Sequence, residues 1–221
     1  LVTMLLAKTP DYGTTRITPS MPMAQARAVR HLRAGNREAV RIANVASSPD
    51  RNQALRPVPI PIDQGMLGFR VCLIRKGEQH RFDGIFTAGH FQERNLTIGQ
   101  GAHWPDTHIL RSNGFKVVTA PQFHNLLTML ERNRFDCFLR GVGEVLIDLQ
   151  QYSGDRLAVE ERLVFTYPMP SYLFVAPDDH RMAKRLSIGL HRAMLDGDYD
   201  EWFTTYFREP IRELNLMDRV F

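Results

Sequence analysis

Residues 96–110, LTIGQGAHWPDTHIL, decide the fold class, because they read as a strand, a glycine-containing turn and the start of a helix. Residues 96–99 favour a strand, and Pro105 is typical of the first turn of a helix. Glycines in such a turn let the backbone approach a ligand, and a helix N-terminus favours anions. The stretch therefore predicts an α/β sheet with a functional turn at a strand end.

Strands and helices alternate outward from this stretch. Downstream, FKVVTA (115–120) and FDCFLRG (135–141) favour strands, and PQFHNLLTMLERN (121–133) between them has the apolar spacing of a helix. Upstream, GFRVCLIRKG (68–77) favours a strand, as does SYLFVAP (171–177) toward the C-terminus. The alternation predicts an α/β fold of mainly parallel sheets flanked by helices.

The composition is that of a globular protein. Of 221 residues, 43% are hydrophobic and 24% are charged, and 28 basic residues against 24 acidic ones leave a formal net charge of +4. The basic residues are spread along the chain without a run of five, so we expect no nucleic-acid partner. No run of about 18 apolar residues occurs, so we expect no membrane-spanning helix.

The two cysteines, Cys72 and Cys137, each lie inside an apolar, strand-like run. The chain has neither a C-x-x-C pair nor zinc-ligand spacing, so we expect two buried free thiols and no disulfide. His103 and His108 are five residues apart with no third ligand in view, so we expect no metal site.

Four blocks in a fixed order resemble one protein family. They are ANVASSPDRNQAL (43–55) leading through PIPI to GFRVCLIRKG, then LTIGQGAHWPDTHIL, then LLTMLERNRFDCFL (126–139), and last YLFVAPDDHRMAKRLSIGLHRAMLDGDYDEWFTTYF (172–207). Together they resemble the bacterial extracellular solute-binding proteins of family 3, the amino-acid type, which have the type 2 periplasmic binding fold. The resemblance covers about residues 20–210.

The resemblance implies a two-lobed, type 2 periplasmic-binding-protein-like fold. Lobe 1 would comprise residues 1–70 plus 171–221, and lobe 2 would comprise residues 75–168. The two crossovers, near 70–75 and 168–172, would form the hinge about which such lobes close on a ligand.

The resemblance also implies a function. Proteins of this family are periplasmic, capture a small molecule in the cleft between their lobes, and deliver it to an ABC importer or report it to a membrane sensor. We therefore expect a monomer that binds a small polar ligand, with no cofactor and no enzymatic activity.

Two departures from the family pattern concern the ligand. The chain starts at or after the family's first strand and aromatic loop, so residues outside it would supply part of the site. Relatives often carry an acid that holds a ligand ammonium group at the position of Arg140 and Gly141. We therefore expect a cationic cleft and an anionic ligand, either amino-acid-like or a dicarboxylate.

Arg51 is the first candidate ligand-binding residue. The family's Thr-x-x-Arg turn is matched by Ser48-Pro49-Asp50-Arg51, and Ser47 adds a second hydroxyl group. A guanidinium beside hydroxyl groups and free backbone N–H groups binds a carboxylate with bidentate geometry. The alternative is a local surface pair of Asp50 and Arg51 in which Ser48 only caps a helix.

The second group of candidates comes from the predicted lobe 2 and its entry strand. Gly101, His103 and Trp104 lie in the turn of the opening stretch, where they either contact the ligand or form a tight turn with Trp104 as packing. Arg140 and Glu144 follow a strand end, where they either face the cleft or form a helix-type ion pair. Arg70 lies on a strand and faces either the cleft or solvent.

Catalytic sets of residues are not evident. The chain lacks a G-x-S-x-G, a P-loop, an H-E-x-x-H and a G-x-G-x-x-G motif. An enzyme on the same fold remains the competing hypothesis, with Glu144, His103 and Asp106 as its candidate acids and bases. A regulatory effector-binding domain is a third hypothesis, although no helix-turn-helix pattern accompanies it.

Overall fold

The computed structural model describes residues 1–220. In chain order its strands are β1 (Ala43–Ala46), β2 (Arg56–Pro57), β3 (Phe69–Arg75), β4 (Thr97–Gly101), β5 (Lys116–Ala120), β6 (Cys137–Gly141), β7 (Leu157–Val159), β8 (Phe165–Thr166) and β9 (Ser171–Val175). Its α-helices are α1 (Val2–Ala7), α2 (Gln25–Arg33), α3 (Pro49–Ala54), α4 (Ala88–Glu93), α5 (Pro105–Ser112), α6 (Phe123–Glu131), α7 (Val145–Asp148), α8 (His180–Leu195), α9 (Asp198–Phe203) and α10 (Glu209–Glu213).

The chain divides into two compact units. Unit 1 comprises Leu1–Gln64 and Pro170–Arg208, and unit 2 comprises Gly65–Met169 and Glu209–Phe221. Both units are therefore discontinuous in sequence.

Unit 1 is built on a three-stranded antiparallel sheet of order β1-β9-β2. β2 is short because the prolines at 57, 59 and 61 have no N–H to donate to a neighbouring strand. α8 begins at the cap Asp179, whose side chain accepts the Met182 N–H at 3.2 Å, as the sequence predicts. α1 packs closely against α8 at Gly189, where an added Cβ atom would meet the Leu5 carbonyl oxygen.

Unit 2 contains a mixed sheet of order β5-β4-β6-β3-β7, with β8 also paired to β3. β5, β4 and β6 are parallel, whereas β3 runs antiparallel to each of its partners. The predicted α/β class is confirmed. Among the described strands, parallel pairing has a smaller share than the sequence suggests, because β3 in this unit and β9 in unit 1 run against their neighbours.

The central strands of unit 2 are buried on both faces. Along β6, Phe138 packs in one hydrophobic core, while Cys137 and Leu139 pack in the other. Along β3, Leu73 packs in the same core as Phe138, and Cys72 packs in the same core as Cys137. This alternation follows from the two-residue repeat of a strand, and it puts both cysteines on one face of adjacent strands.

The prediction that Cys72 and Cys137 are free thiols is wrong. The two residues form a disulfide, with their Cα atoms 5.1 Å apart. β3 and β6 are neighbours, and Cys72 lies opposite Leu139, two residues from Cys137. The interpretation from the sequence considered each apolar run alone and did not place the two strands side by side.

The predicted C-terminal boundary needs a correction. Residues 209–221 were expected in lobe 1, but they belong to unit 2. Leu214 and Leu216 are buried in a core of unit 2, and the backbone N–H of Val164 donates to the Val220 carbonyl at 3.1 Å. β3 likewise belongs to unit 2 and is not a crossover outside it.

Within residues 1–220, no helix is long and apolar enough to cross a membrane.

Candidate functional site

Ionic side chains, most of them buried, and one phenol gather where two parallel strands of unit 2 end. β4 ends at Gly101 and β6 at Gly141, and α5 and α7 begin within a few residues of these ends. In α/β sheets, ligands bind beyond the carboxyl ends of the strands. We call this group the strand-end cluster, and its members are Arg70, Asp106, Arg140, Glu144, Asp148 and Tyr167.

Arg70 is the most buried cation of the cluster, at 3% exposure. It lies on β3 opposite Gly141, its Nη2 is 2.7 Å from the Asp106 carboxylate, and its Nη1 is 3.3 Å from the Glu144 carboxylate. Burial alone would lower its pKa, but the Asp106 carboxylate and the Tyr167 hydroxyl raise it, so the guanidinium stays charged. Within the described chain, its Nε is a buried nitrogen that lacks a hydrogen-bond partner.

Asp106 is held by two partners. It lies in the first turn of α5 and is 1% exposed. The Tyr167 hydroxyl donates to Asp106 Oδ1 at 2.7 Å, the same oxygen that pairs with Arg70. Burial and the nearby Asp106 carboxylate raise the pKa of Tyr167, so the phenol remains a proton donor at neutral pH.

Arg140 lies between carboxylates and aromatic rings. Its Nε is 2.5 Å from Asp148, and its Nη1 is 3.3 Å from Glu144. A guanidinium over an aromatic face is attracted by the ring's quadrupole. The Arg140 guanidinium carbon lies 5.0–5.4 Å from three ring centroids, those of Trp104, Phe123 and Phe138.

Glu144 joins the two arginines. Its carboxylate pairs with Arg70 and Arg140 and accepts the backbone N–H of Gly141 at 3.2 Å. Burial alone would raise the pKa of Glu144, but the two guanidinium groups and this N–H lower it. The side chain is 40% exposed, so this carboxylate is the part of the cluster that solvent reaches best.

The turn after β4 forms one wall of the cluster. Trp104 precedes α5 and stacks on Phe138 with 6.2 Å between ring centroids. Gly101 is required there, because a Cβ atom at this position would lie 2.5 Å from the Trp104 ring. His103 is exposed in the same turn.

The candidates near Arg51 lie in unit 1. Arg51 is 8% exposed, and it donates from Nη1 to a backbone carbonyl at 2.8 Å and from Nη2 to the Gln25 side-chain oxygen at 2.6 Å. Ser48 caps α3, where it accepts the Arg51 N–H at 3.3 Å. The Ser47 hydroxyl is bonded to the Asn52 side chain.

The structure thus brings together five of the predicted site residues within unit 2, namely Arg70, Gly101, Trp104, Arg140 and Glu144. Sequence reasoning missed Asp148 and Tyr167, and it considered Asp106 only as a catalytic candidate. No helical spacing marks Asp148, because Arg140 lies on β6 and Asp148 lies at the end of α7. No local pattern marks Tyr167, which reaches Asp106 only through the fold.

The charge of the cluster corrects an expectation. We expected Arg140 to make the site cationic, but the two arginines of the cluster face three carboxylates, Asp106, Glu144 and Asp148. Burial raises the pKa of Asp148 despite its bond to Arg140. The ion pair of Arg140 and Glu144, which was the alternative interpretation, is present, but it is not within a helix, because Arg140 lies on β6 and Glu144 just before α7. In the part of the chain that the structure describes, no group of three or more His, Cys, Asp or Glu side chains could hold a metal ion.

No protein-family model matches the chain, and no curated protein matches it. Solved structures do resemble it. The periplasmic VFT2 domain of BvgS from Bordetella pertussis has a TM-score of 0.71 at 15% identity, over 93% of this chain and 80% of that domain. A histidine kinase sensor domain with similarity to periplasmic binding proteins has a TM-score of 0.68 at 16% identity, over 93% and 84% of the two chains.

A third similar structure is a binding component of an ABC transporter from Wolinella succinogenes, complexed with lysine. Its TM-score is 0.63 at 15% identity, over 85% of this chain and 77% of that one. The TM-scores establish a shared fold. At identities this low, the function has to be argued from the site. The chain therefore has the two-lobed periplasmic-binding-protein fold that these structures share.

Proposed function

We propose that the chain is an extracytoplasmic binding protein that captures a small polar, amino-acid-like solute and serves an ABC importer or a membrane sensor. The observation that carries this proposal is the buried Arg70 at the strand ends, whose Nε has no acceptor within the described chain. A buried donor without an acceptor costs about 1–3 kcal/mol, which a ligand oxygen would offset.

The chemistry around Arg70 supports recognition of a polar solute. Charged groups in a poorly hydrated site interact more strongly than they do in water, and ligand sites combine a few such groups with aromatic walls. The strand-end cluster supplies Arg70 and Glu144 as charged groups and Trp104 as an aromatic wall. Glu144, as its most exposed carboxylate, is the group that an ammonium of the ligand would meet.

The similar structures support both proposed settings. One is named as an ABC transporter component complexed with lysine, and another as a histidine kinase sensor domain. The Cys72–Cys137 disulfide supports an oxidising compartment such as the periplasm, because thiols stay reduced in most cytosols.

Binding is favoured over catalysis by the state of the candidate acids and bases. A general base works best with a pKa near the operating pH, whereas the pKa of Glu144 is lowered. Asp106 is engaged by Arg70 and Tyr167. His103 lies on the surface of its turn.

The charge of the ligand is the finer part of the proposal. We propose that the ligand carries a carboxylate and that Arg51 binds it. The Nη1 and Nη2 atoms of Arg51 donate to neutral oxygens, which a carboxylate would outcompete with stronger, charge-assisted bonds. Truncation of Arg51 to Ala should then weaken binding by about 2–5 kcal/mol.

A thermal-shift screen over amino acids, dicarboxylates and small phosphates tests the function. A true ligand at about 100 times its dissociation constant should add roughly 2.7 kcal/mol of stability. If no compound in these classes stabilises the chain, the proposed function is contradicted.

Titration calorimetry with the best compound then tests whether the ligand carries a carboxylate that Arg51 binds. Arg51→Ala should lose affinity, while Arg27→Ala, which removes an exposed arginine of α2, should not. Circular dichroism of both variants confirms that each is folded. Unchanged affinity in Arg51→Ala removes this residue from the site, and tight binding of cationic ligands alone contradicts the proposed charge but leaves the binding function intact.

A further inference from the structure

Another buried arginine belongs to unit 1 and lies outside both groups of candidate site residues. Arg185, on α8, is 5% exposed. Its Nε donates to the Thr9 hydroxyl at 2.9 Å, and its Nη1 donates to the Thr15 hydroxyl at 2.6 Å. Its Nη2 donates to backbone carbonyls at 2.9–3.2 Å.

All of these acceptors are neutral. Within residues 1–220, no carboxylate lies within ion-pair distance of Arg185. The nearest acidic influence is Asp11, which is ion-paired with Arg192 and whose pKa the Arg185 charge helps to lower from a longer distance. A buried charge without a counter-charge is costly, because the attraction that would repay its lost hydration is missing. Carbonyl dipoles offset part of this cost, since each orients its negative end toward the guanidinium.

Arg185 Nη1 also has one more N–H donor than it has acceptors. Nη1 carries two N–H groups, and the Thr15 hydroxyl is its acceptor in the described chain. One N–H of a buried guanidinium therefore remains for another acceptor.

A pocket of about 340 Å³ lies against this guanidinium. That volume is at the small end of the usual range for small-molecule sites, roughly 300–1,000 Å³. Arg185 and the hydroxyl residues Thr14 and Thr15 line one part of it, and the apolar side chains of Leu6, Ala7 and Ile17 line another. The pocket thus combines one cation with an apolar wall, and every residue that forms it belongs to unit 1.

We propose that this pocket binds a small amphipathic carboxylate. The carboxylate would accept from Arg185 Nη1 and supply a directly bonded counter-charge, and the hydrocarbon part would lie against Leu6, Ala7 and Ile17. This site shares no residue with the strand-end cluster or with the group around Arg51, so it does not rest on the function proposed above.

Titration calorimetry with octanoate tests the proposal. The unmodified chain should bind one octanoate, and 1-octanol, which has the same chain length and no charge, should bind at least about tenfold more weakly. Ala7→Phe adds a large side chain to the pocket from an exposed helix position and leaves Arg185 in the sequence, and it should weaken octanoate binding at least about tenfold.

Two further variants on α8 complete the test. Arg185→Gln should weaken octanoate binding as Ala7→Phe does, with folding verified by circular dichroism. Arg192→Gln, which removes an exposed arginine seven residues along the same helix, should leave it unchanged. The proposal is overturned if octanoate does not bind at about 10 mM, if octanol binds as tightly, or if Ala7→Phe binds like the unmodified chain.

Discussion

Arg70 Nη2 and Asp106 Oδ1 lie 2.7 Å apart, with 4% and 2% of their side chains exposed. Such a pair has given up most of its hydration, so each partner depends on the other for its stability in the folded chain. The pair also joins β3 to the start of α5, and it thereby holds these two elements of the strand-end cluster together.

The Arg70–Asp106 pair should be costly to break from one side. Asp106→Ala should lower the free energy of unfolding by about 3–5 kcal/mol, because it leaves the Arg70 guanidinium buried without its main partner. Urea unfolding measures this change. Asp155→Ala is the matched control, since it removes a fully exposed aspartate 3.7 Å from Lys76, and it should leave the free energy of unfolding unchanged within the error of the measurement.

Glu144 should make stability depend on pH in a defined direction. Its pKa is lowered from the ordinary value of 4.5, so its ionised form stabilises the fold above that pH, and this contribution is lost as the pH falls through the lowered pKa. Glu144→Gln should cost about 1 kcal/mol or less at pH 7, because solvent screens a side chain that is 40% exposed.

The difference in the free energy of unfolding between Glu144→Gln and the unmodified chain should shrink toward zero under acid conditions. Urea unfolding from pH 7 to pH 3 measures this difference. Glu38→Gln removes one exposed carboxylate elsewhere and corrects for the change in net charge. A difference that grows on acidification would contradict the assigned direction.

The disulfide should contribute strongly to stability. The Cys72→Ala and Cys137→Ala double variant should lose about 2–5 kcal/mol, because the bond closes a loop across 65 residues of the unfolded chain. A reductant should lower the free energy of unfolding of the unmodified chain by a similar amount. It should leave that of the double variant unchanged. Detection of two free thiols in the denatured, unreduced protein would refute the bond.

Trp104 should report on the strand-end cluster. The chain has two tryptophans, so a ligand that binds beside Arg140 should change the fluorescence of Trp104, and Trp202→Phe should keep this change. Trp104→Phe should abolish the change and cost about 0.5–2 kcal/mol in stability through its weaker attraction for the guanidinium. A ligand-induced change that persists in Trp104→Phe and disappears in Trp202→Phe would place the ligand elsewhere.

The parts of the fold that sequence reasoning anticipated depend on local signals. Asp179 caps α8 because a carboxylate before an apolar helical stripe is recognisable within a few residues. The turn from Gly101 to Pro105 was recognisable in the same way. The pairing of Cys72 with Cys137 and of Arg70 with Asp106 is not local, because both depend on which strands become neighbours, and the sequence contains no short-range record of that choice.

The return of the C-terminal segment to unit 2 has a consequence for anyone who wishes to produce that unit by itself. Leu214 and Leu216 fill its core, and residue 220 pairs with the segment that leads into β8. A gene for unit 2 therefore cannot be cut as one continuous stretch of the natural reading frame. It has to splice residues 65–169 to residues 209–221, and the length of the peptide chosen to replace residues 170–208 between them becomes a design variable in its own right.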